Sequence, residues 1–298
     1  MRVLIKGAGD LATGIACRLH TCGFQIIMTE IKVPLTVRRT VAFSRAVYEE
    51  TAVVEGITGR LAHGPEEIEE ILGKRQIAVI VDPDVKYMGA YRPDVVVDAI
   101  LAKRNLGTSI SDAELVIGVG PGFTAGEDCH LVVETKRGHY LGRVIHEGSA
   151  IPNTGIPGEI GGYSIERLVK ATGDGMFTPL VSIGDLVEKG QIIAYSGNSP
   201  VYALMPGMVR GMLQPGVHVT TGLKCGDIDA RCVKEHCYTV SDKARAIGGG
   251  VLEAILFHQA QAESKNMYKM VRGELKQEEI FYNIISRYGG MSACESAR

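Results

Sequence analysis

An α/β protein built on a parallel sheet is the fold that three features of this 298-residue chain predict. Val3-Leu4-Ile5 is a short apolar strand running directly into Gly7-Ala8-Gly9-Asp10, and a helical pattern with Leu11, Ile15 and Leu19 on one face follows it. Similar apolar strands recur at 24–29, 77–81, 95–100 and 115–119, with helical stretches among them. Apolar residues make up 45% of the chain and Trp is absent, so the core is mostly Val, Ile, Leu and Ala, the mix of strands buried on both faces.

Taken in order, Gly23 stops the first helix and the second strand ends at Glu30. Pro65 suits the first turn of a helix running to Lys74, with Ile68, Ile71 and Leu72 apolar. Beyond the fifth strand, 131–135 and 141–146 read as a hairpin around Lys136-Arg137-Gly138. Residues 148–162, rich in Gly and Pro, read as the exit from a first domain or as part of a binding site. Residues 174–226 carry an internal repeat offset by 32: Gly175-Met176 recurs as Gly207-Met208, Gly184 as Gly216, Val187 as Val219 and Gly190 as Gly222. Each copy reads as two short strands joined at glycine, too small to bury a core alone, so two interleaved copies should close into a small all-β barrel. A helix over 242–261, with Ala244, Ile247, Val251, Ile255 and His258 on one stripe, and another over 277–287 close the chain. The expected domains are 1–150, 151–240 and 241–298.

A formal net charge of −2 without like-charge blocks argues against nucleic acid as a partner. No apolar run approaches the ~18 residues of a membrane span. The chain opens as a strand, which predicts no signal peptide, and seven scattered cysteines predict reduced thiols in a cytoplasmic protein. A homo-oligomer is left open.

Gly7, Gly9 and Ala12 fit G-x-G-x-x-[GA] between strand and helix, the arrangement of a Rossmann-like nucleotide-binding turn. The first glycine permits the turn, the second admits a pyrophosphate, and the free N–H groups of the helix start favour an anion. Glu30 lies where a carboxylate would take ribose hydroxyls and repel an NADP phosphate. Lys6 and Asp10 depart from this pattern, and a Rossmann-shaped domain without a dinucleotide is the alternative. Asp10 sets a negative charge beside the pyrophosphate position unless a cation intervenes.

Arg38 and Arg39, after Pro34, could clamp an anion or begin a solvated helix. Lys103 and Arg104 follow a strand at the carboxyl edge where α/β ligands bind. Gly120 and Gly122 end another strand as a ligand approach or a tight turn. Asp98 reads as a buried acid with a structural hydrogen bond. Cys225, Asp227, Asp229, Cys232, His236 and Cys237 match no common zinc spacing, so no metal ligand is assigned. Gly248-Gly249-Gly250 reads as close packing.

GAGDLATGIACRLH, MTEIKVPLTVRRTVAF, VIGVGPGFTAGEDCHLVVETKRGHYLGRVIHEGSA, NTGIPGEIGGY and SDKARAIGGGVLEAIL resemble the YqeB-type accessory proteins of selenium-dependent molybdenum hydroxylases. The resemblance covers roughly residues 2–257. It implies a role in hydroxylase maturation beside the XdhC accessory proteins, with the apo-enzyme as partner, and it carries over no catalytic residue. Residues 174–226 separately resemble the barrel-sandwich hybrid of biotinyl and lipoyl domains. The carrier lysine of those domains is missing from the central turn, Tyr195-Ser196-Gly197-Asn198-Ser199-Pro200. That departure implies the scaffold without the carrier chemistry. Met205, Met208 and Met212 would fill its core or, if exposed, offer an adaptable docking contact.

The sequence thus leads to a maturation protein binding NAD or a molybdopterin-type nucleotide cofactor. An NAD-dependent oxidoreductase and a non-catalytic assembly scaffold are the alternatives.

Overall fold

A computed structural model describes residues 1–153, 155 and 158–271. The chain opens as β1 (Arg2–Lys6), α1 (Asp10–Thr21) and β2 (Gln25–Glu30). A loop with 3-10 turns at Arg39–Val41 and Phe43–Arg45 leads through α2 (Ala46–Glu49) to the hairpin β3 (Thr51–Val54) and β4 (Ile57–Ala62). There follow α3 (Ile68–Gly73), β5 (Ile77–Val81), α4 (Met88–Tyr91), β6 (Val95–Asp98) and β7 (Leu115–Val119). Then come β8 (Thr124–Ala125), β9 (Leu131–Val133), β10 (Val144–Ile145) and β11 (Gly148–Ser149).

Among the described residues the main sheet has nine strands in the order β10-β9-β7-β6-β1-β2-β5-β4-β3. From β9 to β4 every neighbouring pair is parallel, and the edges β3 and β10 pair antiparallel. The run β5-β2-β1-β6-β7 is compatible with a Rossmann-like order, and its strands are the apolar ones that the sequence predicts. Val3, Leu4, Ile5, Ile26, Ile27 and Met28 are wholly buried, as central strands covered on both faces require. The chain passes from β1 to β2 on one side while β6 lies on the other. Loops therefore diverge at the carboxyl ends of β1 and β6, the place where α/β sheets leave a crevice.

The antiparallel edges qualify the expected parallel sheet. The β3–β4 hairpin, not among the strands the sequence predicts, turns at Glu55-Gly56 with φ of 48° and 82°. Both central residues of such a turn are left-handed, a conformation that Asn or Asp usually marks. Glu55 instead spends its carboxylate on the Val240 N–H and on Arg245.

Residues 168–229 contain eight strands, against the four expected over 174–226: β12 (Leu168–Lys170) just before that span, then β13 (Gly175–Pro179), β14 (Leu186–Val187), β15 (Ile192–Ser196), β16 (Ser199–Tyr202), β17 (Gly207–Met212), β18 (His218–Val219) and β19 (Lys224–Asp229). They form two four-stranded sheets, β12-β19-β17-β14 and β16-β15-β13-β18, around one core. The repeat is visible in the pairing. Gly175 faces Val219 across β13–β18, and Gly207 faces Val187 across β17–β14, so each copy is completed by the other. Phe177 N–H donates to Val217 O and Val209 N–H to Asp185 O, both at 2.8 Å, equivalent bonds 32 residues apart. Met205, Met208 and Met212 are buried in this core, so the idea of a methionine docking face is corrected: they pack the interior.

Met1–Ala254 forms one compact unit and the chain from Ile255 another. α5 (Asp242–Val271) is ten residues longer than the 242–261 expected. Its first turns pack on α1: a Cβ on Gly14 would lie 2.6 Å from that of Ala244, and one on Gly248 3.0 Å from Gly14 O. Gly248 and, against Gly142 O, Gly250 thus permit close packing of backbone on backbone, whereas nothing lies within 4 Å of a Cβ on Gly249. The helix expected at 277–287, and Cys294, lie outside the described residues. Among those residues no helix is long and apolar enough to cross a membrane.

Candidate functional site

The turn after β1 is built as its glycines require. Gly7 has φ +92°, and an added Cβ would lie 3.1 Å from Ala99 O, so both conformation and space demand glycine. Its N–H donates to Thr29 O at 2.9 Å. Gly9, the N-cap of α1, is different: φ is −66°, and the nearest atom to an added Cβ is Thr36 Oγ1 at 3.7 Å. Nothing in the chain itself requires glycine there. Ala12 is buried within α1.

This turn opens on a cavity of about 930 Å³ at the divergence of β1 and β6. Gly7, Gly9, Asp10, Ala12, Glu30 and Arg38 line it, with the ends of β5 and β6 below. Arg210, Lys224 and Asp227 of the two-sheet body form another wall, which the sequence does not reveal.

Each departure from the ideal motif has a partner. Lys6, buried at the end of β1, donates to Thr108 Oγ1 at 2.9 Å and pairs with Asp112 at 3.1 Å. Asp98, its register partner on β6, accepts from Thr108 Oγ1 at 2.6 Å and from Ile100 N–H at 3.1 Å. The lysine and the acid thus lock the crevice floor. Asp10 faces Arg38 at 3.7 Å, so a cation does intervene beside the turn. Glu30 accepts from Ala8 N–H at 3.0 Å and Ile31 N–H at 2.8 Å. Burial pushes its carboxyl above the usual range, and those two bonds oppose the shift.

Arg38 is buried, 6% exposed, and donates to His236 O and Thr239 O. Burial and the nearby Arg210 lower its pKa, against the pull of Asp10 and Asp227. Arg39 does not line the cavity; its Nε donates to Met212 O at 3.2 Å and ties the loop to β17. Lys103 faces a second cavity, about 410 Å³, with Lys136, Arg137 and Lys243. Arg104 is exposed and touches neither cavity among the described lining residues. Gly120 and Gly122 serve packing: an added Cβ would lie 2.7 Å from Thr135 Oγ1 and 2.6 Å from Arg104 N, respectively.

Behind the wall formed by the two-sheet body, five cations share three carboxylates. Arg167 and Arg210 pair with Asp227 at 3.2 and 2.9 Å, and Lys224 approaches it at 3.9 Å. Arg210 and Arg231 reach Asp229 at 3.5 and 2.6 Å, and Arg38 faces Asp10. Of the cysteines in the same run, Cys225 and Cys237 are buried in the apolar core, and Cys237 lies near enough to Arg38 and Arg210 to feel their charge. Burial alone would raise the Asp229 pKa; its bonds to Arg231 and the charge of Arg210 bring it down to about 2. A carboxylate with a depressed pKa stabilises the fold above its unfolded value, and the stability disappears as pH falls through the folded one. Asp229→Asn should therefore cost roughly 2 kcal/mol at pH 7 and lessen the acid sensitivity between pH 4 and 2. Urea unfolding across that range reads both; an undiminished pH slope would contradict the pairing.

No family model matches the chain. Over 270 residues it is 47% identical to the uncharacterized protein YqeB of Escherichia coli (strain K12), covering 90% of this chain and 50% of that one. Among solved structures, it aligns with a succinylglutamatedesuccinylase/aspartoacylase from Rhodobacter sphaeroides at 15% identity, 76% and 84% coverage and TM-score 0.25. It also aligns with product-bound ectoine utilization protein EutE (DoeB) from Ruegeria pomeroyi at 21% identity, 28% and 27% coverage and TM-score 0.20. Likenesses that low carry no argument. The chain is a homologue of YqeB, matching it over nine-tenths of its own length and spanning about half of that relative.

Proposed function

We propose that the cleft binds a nucleotide or nucleotide-like cofactor and that the protein serves the maturation of a molybdenum hydroxylase. The observation that carries the binding half is Gly9: a glycine at an ordinary φ, facing open cavity at a helix N-terminus, has its use in letting a phosphate approach backbone. A volume of about 930 Å³ lies within the range of small-ligand pockets, roughly 300–1,000 Å³. NAD and a molybdopterin-type cofactor are the candidates. The maturation half, with its selenium-dependent apo-enzyme as partner, rests on the segment resemblance and on homology to YqeB, itself uncharacterized. We read the two-sheet body as a barrel-sandwich hybrid: Gly197 and Asn198 sit at its central turn, where a carrier would hold a lysine.

Native mass spectrometry of gently purified protein should find NAD or a molybdopterin-type mass, and the loaded protein should raise the activity of apo-hydroxylase. A bound NAD with no effect on the hydroxylase would favour the oxidoreductase; no ligand at all would leave the scaffold.

Each Glu30 oxygen accepts one backbone bond, leaving a lone pair for a ribose hydroxyl. NAD should bind at least about tenfold more tightly than NADP, because the 2′-phosphate would meet a carboxylate. Glu30→Gln should narrow the gap in calorimetric titrations. Equal affinities in the parent protein would remove Glu30 from the ribose site.

A further inference from the structure

Resting on the nucleotide reading, we infer that the two-sheet body supplies a second anion site, in which Lys224 and Arg210, with Arg38 beside them, hold a distal phosphate or carboxylate of the ligand. The cavity has a mixed lining, with charged groups set among apolar side chains such as Leu35, Ile100 and Leu106. Glu30 and Asp84 lie at the β2 and β5 side, and Arg38, Arg210 and Lys224 at the other. The glycine turn sits between.

The basic wall is short of negative charge. Arg38, Arg167, Arg210, Lys224 and Arg231 have Asp10, Asp227 and Asp229 as direct partners, with Asp242 acting on Arg231 from further off while paired to Arg137, so positive charge exceeds negative in the network. Two of the guanidiniums, Arg38 at the cavity and Arg167 behind it, also carry an unsatisfied donor. The Nε atoms of Arg38 and Arg167 are buried without a hydrogen-bond partner, although both side chains are at least nine-tenths buried. Desolvated cations sharing too few carboxylates cost free energy that an incoming anion would relieve. Arg38 and Asp10 stand 3.7 Å apart, beyond hydrogen-bond length, so Nη1 retains a donor for an oxyanion. Lys224 is half exposed and 3.9 Å from Asp227, free to swing toward a ligand.

The arrangement selects a ligand class. A ribose would lie toward Glu30, its first phosphate at Gly9, and a further acidic group against the wall. A nucleoside diphosphate or a pyrophosphate-linked cofactor fits that order, whereas a nucleoside monophosphate leaves the wall unused. The segments meet only in the fold: Lys224 is remote in sequence from Gly9, and the bond from Met212 N–H to Val37 O at 2.8 Å helps bring them together.

Calorimetric titration of the full chain with AMP, ADP and inorganic pyrophosphate tests this. Lys224→Ala should weaken ADP and pyrophosphate by about tenfold and leave AMP within about twofold. Lys224→Arg should restore most of the loss, and the melting temperatures should match the parent's, since the side chain is exposed. If the parent binds ADP and Lys224→Ala binds it equally well, the anion site is wrong and the nucleotide reading stands. If the parent binds pyrophosphate but neither nucleotide, the nucleotide reading falls, and the wall is judged by whether Lys224→Ala weakens pyrophosphate. Binding of none of the three overturns the anion site, and the nucleotide reading is then decided by the NAD titration and the bound mass.

Discussion

Gly14→Leu should lower the stability of the fold by about 3 kcal/mol, at the upper end of what overpacking costs. The reason is backbone contact. A Cβ at Gly14 would stand 2.6 Å from the Ala244 Cβ and 3.1 Å from that residue's carbonyl carbon and oxygen. The last two belong to main chain and have no rotamer to escape into, so α1 and α5 must separate. Separation also uncovers Ala244 and Ile247, which are buried. Gly73 in α3 is the control: nothing lies within 4 Å of a Cβ added there, and alanine at that helical position should be neutral or stabilise by up to ~1 kcal/mol. Urea unfolding of both variants reads the contrast. Gly14→Leu as stable as the parent would mean that the helices do not meet at this glycine.

The central strands are legible in sequence because they are buried on both faces, and Ile77–Val81 and Leu115–Val119 even have the expected ends. Hydrophobic runs of that kind leave little choice of structure. The repeat is legible for another reason: Gly175, Gly184 and Gly190 recur because all six glycines of the two copies have positive φ, a backbone requirement written directly into residue identity. What the repeat does not reveal is how many strands it generates. Two-residue strands such as Leu186–Val187 and His218–Val219 exist only because the other copy pairs with them. Their periodicity is too short to register in a window of sequence.

The candidate site divides the same way. Gly7, Gly9 and Glu30 stand on one strand–turn–helix–strand unit, so spacing alone brings them together. Arg38 and Arg39 are adjacent in sequence and opposite in role: Arg38 lines the cavity, and Arg39 is spent on the Met212 carbonyl. No local pattern distinguishes them, because the difference is made by β17, more than 160 residues away. Arg210, Lys224 and Asp227 escape sequence reading for the same reason. The one signal available is Asp227 and Asp229 alternating along β19, whose residues after Lys224 are otherwise uncharged, since acids buried in a strand need cations near them.

Gly9→Val should weaken ligand binding by about a hundredfold or more while leaving the fold intact, the reverse of what Gly14→Leu does. At φ −66° and ψ −178° the backbone of Gly9 is in a region open to any residue, so no strain accompanies a side chain. The nearest obstacle to a Cβ is Thr36 Oγ1 at 3.7 Å, an ordinary contact. Gly9 O still accepts from Thr13 N–H at 2.8 Å, and the first turn of α1 is undisturbed. The added methyls must then project into the cavity, where the phosphate would approach the free N–H groups of the helix. A ligand pushed outward loses several charge-assisted hydrogen bonds together, each worth roughly 1.5–3 kcal/mol, which is why the expected loss exceeds that of Lys224→Ala. Gly7→Val is the informative companion. Its φ of +92° and the Ala99 carbonyl predict lost stability as well as lost binding, so the two glycines of one motif should separate in a melting experiment. Unchanged affinity in Gly9→Val, for whichever nucleotide the parent binds, would place the ligand elsewhere and leave this glycine without a role.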